Sequence, residues 1–361
     1  MESLIGHEAI RRELRALALS DEPPHALMFV GPDGTGRSLL ALEYAQLLNC
    51  ERSPKVAPAG GSLFDDPGLA PPVMLPCNEC RPCRLIAEGA HPDVVALGPG
   101  DTLCKPRPNE SGHERHPQSR DIRICQVRGL IELVSRYPFE ARYRSIVIDP
   151  ADRLGLQSQH AILKTLEEPP GHTVIALITS APEALLETVR SRCRRIEVGT
   201  LPRQVIEDGL IAQGVAAEVA ALAAEESRGR PGRAVRFAAT PDLMGDRARL
   251  QARCAKVAAS KISERLSYAE DLADRFRRDR NAVHAELEAW ELFWEGRLRE
   301  AAAEGGREEA EHVVQALRAI GQAREDLLAN VLARPALELM LLRFPAVTLE
   351  AIPGEEPATY A

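Results

Sequence analysis

The sequence predicts an α/β domain wound around a parallel sheet, followed by two helical regions. Three observations point there. Five short apolar runs, at 26–30, 93–97, 145–149, 173–179 and 195–198, alternate with helical patterns through the first 200 residues. Most of these runs are apolar almost throughout, as strands covered on both faces require. Beyond Thr200 no further strand pattern is convincing, and apolar residues recur at helical spacing instead.

Composition limits the classes of function. The chain has 361 residues, enough for two or three compact units, with 45% hydrophobic and 27% charged residues. No stretch approaches the ~18 unbroken apolar residues of a membrane span. The opening Met1-Glu-Ser-Leu-Ile-Gly-His-Glu8 lacks the basic and apolar regions of a signal peptide, so a cytoplasmic protein with no membrane partner is expected. A net charge of −8 excludes a wholly basic nucleic-acid sleeve, and any DNA contact is expected to be local or shared with partner chains.

The elements follow in order. Residues 4–20 read as a helix striped by Leu4, Ile5, Ile10, Leu14 and Leu17, broken at Asp21 to Pro24. The first strand, Ala26 to Val30, runs through a glycine-rich turn into a helix carrying Leu39, Leu40, Leu42, Ala45 and Leu48. Residues 51–76, rich in Pro, Gly and Ala, read as a loop or insertion, and 98–120 as a second polar loop. A helix over 122–137 carries Val127, Leu130, Ile131, Leu133 and Val134; another, over 155–167, runs into Glu168-Pro169-Pro170. Residues 202–238 give two or three short helices, and 246–344 longer ones. One stripe there holds Ile262, Leu266, Ala269, Leu272, Ala273 and Phe276; another holds Val313, Val314, Leu317 and Ile320, with Leu327, Leu328, Val331 and Leu332 beyond. Residues 350–361 read as a frayed tail.

Four constellations carry chemistry. Gly31, four residues, Gly36, a basic residue and Ser38 have the spacing of a phosphate-binding loop between strand and helix. The basic residue is Arg37 where lysine is usual, and the planar guanidinium does not replace a compact ammonium conservatively. The third strand ends at Asp149, placed for a metal, but Pro150 stands where a water-polarising Glu is needed. Losing both groups argues against hydrolysis and favours a retained scaffold turn; Asp152 reads as a helix-entry cap. Ser191-Arg192-Cys193 precedes the fifth strand, where an Arg can project toward a neighbouring subunit; the bland alternative is a surface basic cluster with Arg194 and Arg195. Cys77-x2-Cys80-x2-Cys83, joined by Cys50, supplies four thiolates for tetrahedral structural zinc in preference to a redox cluster; His91 reads as a capping or surface residue. Finally, Gly229-Arg-Pro-Gly-Arg233 opens a helix, as either a well-capped basic start or an arginine contact to nucleotide.

Together with Asp149-Pro-Ala-Asp152-Arg-Leu and, above all, Leu163-Lys-Thr-Leu-Glu-Glu-Pro-Pro170, these motifs resemble the delta-prime family of clamp-loader subunits, AAA+ proteins of bacterial DNA polymerase III. The resemblance is strong over 1–240 and weaker over 245–345. It implies a nucleotide-binding-type domain over 1–200 with a zinc module at 50–83, a helical lid over 201–243 and a helical collar for oligomerisation over 244–361. It implies partners of the ATPase gamma/tau and delta types, a pentamer that opens the sliding clamp and closes it on primed DNA, and Arg192 donated to a neighbouring ATP site. Gly31, Gly36, Arg37, Ser38, Asp149, Thr179 and Arg233 then form a degenerate nucleotide site in which ATP and magnesium binding are doubtful. Two alternatives stand beside it: an ATP-hydrolysing gamma/tau-type subunit, and a zinc-stabilised module unrelated to replication.

Overall fold

All five apolar runs become strands of one parallel sheet. The computed structural model describes residues 4–53, 76–106, 116–304, 306–328, 331–345 and 347. Strands β1 (Ala26–Val30), β2 (Val94–Leu97), β3 (Arg144–Ile148), β4 (Thr173–Thr179) and β5 (Arg194–Glu197) lie in the order β2-β3-β4-β1-β5. The register sets Val30 beside Thr179 and Leu27 beside Arg194. This is a parallel α/β sheet with helices on both faces, as the sequence predicts.

Burial on both faces explains the continuous apolar runs. On β1, Ala26, Met28 and Val30 point into one core with Ile146, Ile148, Ile175 and Leu177. Helices α4 (Ile124–Val134) and α5 (Leu156–Glu167) cover it, through Val127 and Leu130 and through Ile162 and Leu166. Leu27 and Phe29 point the other way, with Val147, Val174, Ala176 and Ile178. That face is covered by α1 (Glu8–Leu19), α2 (Arg37–Asn49) and α3 (Arg81–Ala87). A side-chain period of two thus reaches two cores on β1, β3 and β4, whereas β5, at the sheet edge, buries only Ile196 and exposes Arg194, Arg195 and Glu197, so the fifth run is not the continuously apolar strand expected of a sheet covered on both faces.

Past the sheet, α6 (Glu187–Arg190) forms a single turn before β5. Helices α7 (Arg203–Ala212), α8 (Ala217–Ser227) and α9 (Pro231–Ala239) pack on one another around Ile206, Leu210, Ala220, Ala224 and Ala234. Residues 1–239 form one compact unit and 240–361 a second. The second unit holds α10 (Pro241–Ala258), α11 (Ile262–Arg278), α12 (Arg280–Glu304), α13 (Arg307–Leu328) and α14 (Ala333–Leu342). Its own core gathers Trp290, Trp294, Leu272, Ile320 and Leu337. No helix among the described residues is long and apolar enough to cross a membrane.

Three expectations change. The opening helix starts at Glu8, because Gly6 and His7 both adopt left-handed backbone, at φ 69° and 59°, and break the helix before it. On α11 the stripe holds at Ala269, Leu272, Ala273 and Phe276, which are buried, but not in the first turn: Ile262 is 62% exposed and Leu266 only partly buried, while Arg265 is buried. Arg265 donates to Phe344 O at 2.7 Å and Pro345 O at 3.2 Å, and also to Ala258 O, so a polar knot replaces the expected apolar contact. Val331 and Leu332 lie outside any helix and are exposed. Most of the first insertion, part of the second loop (107–115), Ala329-Asn330 and the tail lie outside the described residues.

Candidate functional site

The glycine loop begins where β1 ends. Gly31 is required by close approach: a Cβ there would lie 2.0 Å from Val198 O. Gly34 and Gly36 take left-handed backbone, at φ 81° and 95°, and α2 starts at Arg37. His7 Nε2 donates to Thr35 O at 2.8 Å, fastening the loop from the N-terminal side; burial lowers the His7 pKa. Thr35 Oγ1 donates to Pro32 O at 2.9 Å.

Within this loop the basic residue turns inward. Arg37 is buried and paired with Asp33, while its Nη1 has no hydrogen-bond partner among the described residues. Ser38 Oγ donates to the Asp149 carboxylate, so the two groups that would share a magnesium do stand together. Thr179 Oγ1 is engaged on both sides, donating to Asp152 Oδ1 at 2.9 Å and accepting from Ala181 N at 3.0 Å. Asp152 is therefore not a helix cap: it lies in a one-turn 3-10 segment at 151–153 and faces the end of β4, while Gly155 precedes α5. The N-terminus of α9 closes over the loop, with Gly232 N donating to Gly34 O at 2.9 Å. Arg233 follows directly, its backbone N 3.6 Å from where a Gly34 Cβ would sit. The donor set fits magnesium in part. Arg37, buried against Asp33, stands where a phosphate-binding loop carries lysine, and Pro150 offers no carboxylate to polarise a water.

Arg192 sits at the opposite edge of the sheet. Val189 and Cys193 are buried in the α4–α5 core, and burial lifts the Cys193 thiol to about 12, so this cysteine is packing. Ser191 Oγ and Arg192 Nη1 both donate to Thr188 O, at 3.2 and 2.8 Å. Arg192 Nη2 lies 2.6 Å from Glu167 Oε1. The turn precedes β5, whereas Gly31 to Ser38 follows β1, and these neighbouring strands are parallel. The five residues of β1 put roughly 16 Å between the two edges. Arg192 cannot serve its own glycine loop.

The cysteine pattern closes as a group. The Sγ atoms of Cys50, Cys77, Cys80 and Cys83 all lie within 4.8 Å of one another, Cys50 and Cys83 fully buried. Cys80 N donates to Cys77 Sγ at 3.4 Å. Desolvation alone would raise the Cys77 thiol, but N–H donors of Cys80 and Glu79 outweigh it and bring it to about 7; burial pushes Cys50 and Cys83 up. Such a donor set suits a tetrahedral thiophilic ion. Gln46 Nε2 donates to Cys83 O at 2.8 Å and Asn49 bridges to both backbone groups of Tyr143, so α2 carries the centre. His91 is not one of the four; its Nδ1 accepts from Asp93 N at 3.1 Å.

Two features were not read from the sequence. Asp93, fully buried, accepts from Phe139 N, Glu140 N and Ala141 N at 2.8–3.0 Å and from Arg144 Nη2 at 2.8 Å. This clamp holds a loop on which Tyr137 and Phe139 are each 83% exposed. Their signal was available: two large aromatics in a Pro-containing segment between helix and strand. A cavity of about 640 Å3 also opens where α4 and α5 begin, lined by His116, Arg123, Arg128 and Gln157 among others.

Comparison with known proteins decides the family. The profile described as "DNA polymerase III, delta subunit" matches residues 6–202, more than half of the chain. The chain belongs to the clamp-loader family of DNA polymerase III. Among its relatives, the delta' subunit of Pseudomonas aeruginosa is 32% identical over 169 residues, covering 47% of this chain and 41% of that protein. The delta' subunit of Bacillus subtilis is 31% identical over 204 residues (56% and 51%), and the tau subunit of the same organism 30% over 205 (57% and 30%). This clamp-loader family member thus spans between about a third and a half of those relatives' lengths. A gamma subunit-related protein from Thermotoga maritima aligns over 92% of this chain and 97% of its own at 17% identity and a TM-score of 0.39.

Proposed function

We propose that this clamp-loader family member is a delta-prime-type subunit that does not hydrolyse ATP and donates Arg192 in trans to a neighbouring ATPase subunit. One observation carries the reading: Arg192 stands at the sheet edge opposite its own glycine loop, exposed enough to meet a partner (34% for its side chain). An arginine supplied in trans stabilises charge developing on a transferring phosphoryl group. The inward Arg37, the Pro150 substitution and the α9 contact to Gly34 support a loop kept as scaffold. Residues 201–243 serve as the lid and 244–361 as the oligomerisation collar. The four cysteines hold one structural zinc, which cross-links α2 to α3. Partners are gamma/tau- and delta-type subunits, and through them the sliding clamp and primed DNA. The exposed Tyr137 and Phe139 suit a protein partner.

In a reconstituted loader, Arg192→Ala is expected to slow hydrolysis at the adjacent site by on the order of 10³ while the assembly stays intact. Unchanged hydrolysis would remove the role. The adjacency of Ser38 and Asp149 keeps a second reading, an ATPase of the gamma/tau type. Turnover by the purified chain, abolished by Ser38→Ala, would establish that reading instead.

A further inference from the structure

Glu167 is the last residue of α5, and a carboxylate there opposes the helix macrodipole. Glu168 follows and adds a second negative charge at the same end. The helix end is nevertheless firmly held. Leu166 is buried, its carbonyl accepts from His25 Nε2 at 3.1 Å, and Pro169-Pro170 ends the helix. The backbone that carries this disfavoured charge is thus fixed, and the half-exposed carboxylate meets Arg192 at 2.6 Å. The other side of the guanidinium is tied to Thr188 O at 2.8 Å, on a turn anchored by buried Val189 and Cys193. Two contacts from two rigid elements therefore define where the guanidinium points.

We propose that Glu167 is a positioning residue: it holds the Arg192 guanidinium in one orientation at the rim and releases it to the phosphoryl oxygens of the neighbouring subunit's nucleotide. This rests on the in-trans role of Arg192 proposed above. The pair is half-exposed, at 34% and 47% for the two side chains, so it contributes little to folding. That weakness suits an exchange. Glu167 biases the arginine side chain toward one orientation, and the more highly charged phosphates displace it. Ordering the arginine beforehand removes part of the entropy that it would otherwise lose on engagement.

The test measures steady-state ATP hydrolysis by the reconstituted loader with Glu167→Ala, Glu167→Gln, Arg192→Ala and the Glu167→Ala/Arg192→Ala pair. Glu167→Ala is expected to lower kcat about three- to fivefold with KM for ATP unchanged. Glu167→Gln, which keeps the acceptor oxygen, is expected to recover most of that loss. In the Arg192→Ala background, Glu167→Ala should change nothing further, and the melting temperature of the isolated chain should stay put throughout. If Arg192→Ala slows hydrolysis and Glu167→Ala does not, the positioning role is lost and the arginine's role stands. An equal loss from Glu167→Ala in both backgrounds, or a faster rate, overturns it as well. No effect from Arg192→Ala ends both.

Discussion

Asp93 shows how one residue can hold a loop in place. Burial by itself would raise its carboxyl, but the N–H groups of Glu140, Ala141 and Phe139 and the Arg144 guanidinium outweigh that and hold it at about 2, below the ordinary 3.8. Arg144 in turn donates to Leu133 O, Arg136 O and Tyr137 O. Removing the carboxylate leaves a buried cation unpaired, so Asp93→Ala is expected to cost about 3–5 kcal/mol in urea unfolding. The pH dependence has a definite sign. A depressed carboxyl pKa stabilises the fold fully above the unfolded value, and that stability, about 2 kcal/mol, is lost as pH falls from about 3.8 through about 2. Wild type should therefore lose stability across that window, and Asp93→Asn should flatten that part of the profile. A wild-type profile flat below pH 4 would contradict this account.

At the scale of elements, the glycine loop and the cysteine centre make separate demands. Gly31 has no room for a methyl group against Val198 O, so Gly31→Ala should lower stability by about 1–3 kcal/mol even where nucleotide is irrelevant. Thermal melts with and without nucleotide would test that, since a loop kept only for ligand would leave the ligand-free melt unchanged. For the centre, metal analysis should find about one zinc per chain in the wild type, lost in Cys80→Ser, and chelation should lower the melting temperature. A metal-free wild type with an unchanged melt would refute the assignment. The Cys-x2-Cys-x2-Cys spacing is legible in the sequence because its three sulfurs lie within seven residues. The fourth, Cys50, joins only because α2 ends beside α3, which Gln46 secures through Cys83 O.

At the scale of the molecule, two units each close their own core. The second is centred on Trp290 and Trp294 and pinned by buried charges. Glu286 accepts from Arg275 at 2.6 Å, from Arg253 at 3.4 Å and from Tyr268, and Arg265 binds carbonyls at the ends of α10 and α14. A core and a polar network complete within one segment predict that residues 240–347 fold alone. Circular dichroism of that fragment should give a helical spectrum with a cooperative melt, whereas an uncooperative melt would mean that its order depends on the first unit.

The sequence by itself determined the strands, the glycine loop, the arginine turn and the three clustered cysteines. It also exposed the substitutions at Arg37 and Pro150, because each of these is local and burial leaves its period in the chain. It misplaced the start of α1, the first turn of the α11 stripe and the use of Asp152, where left-handed backbone or a distant polar partner overrode the local pattern. The sequence offered Cys50 as a fourth thiolate and Arg192 as an outward arginine; only the tertiary structure decided the distances, bringing Cys50 within 4.8 Å of the other three sulfurs and setting Arg192 against Glu167. The reason is the strand order: β5, last in the chain, pairs with β1, first in the chain. Residues far apart in sequence meet at edges that no local period encodes.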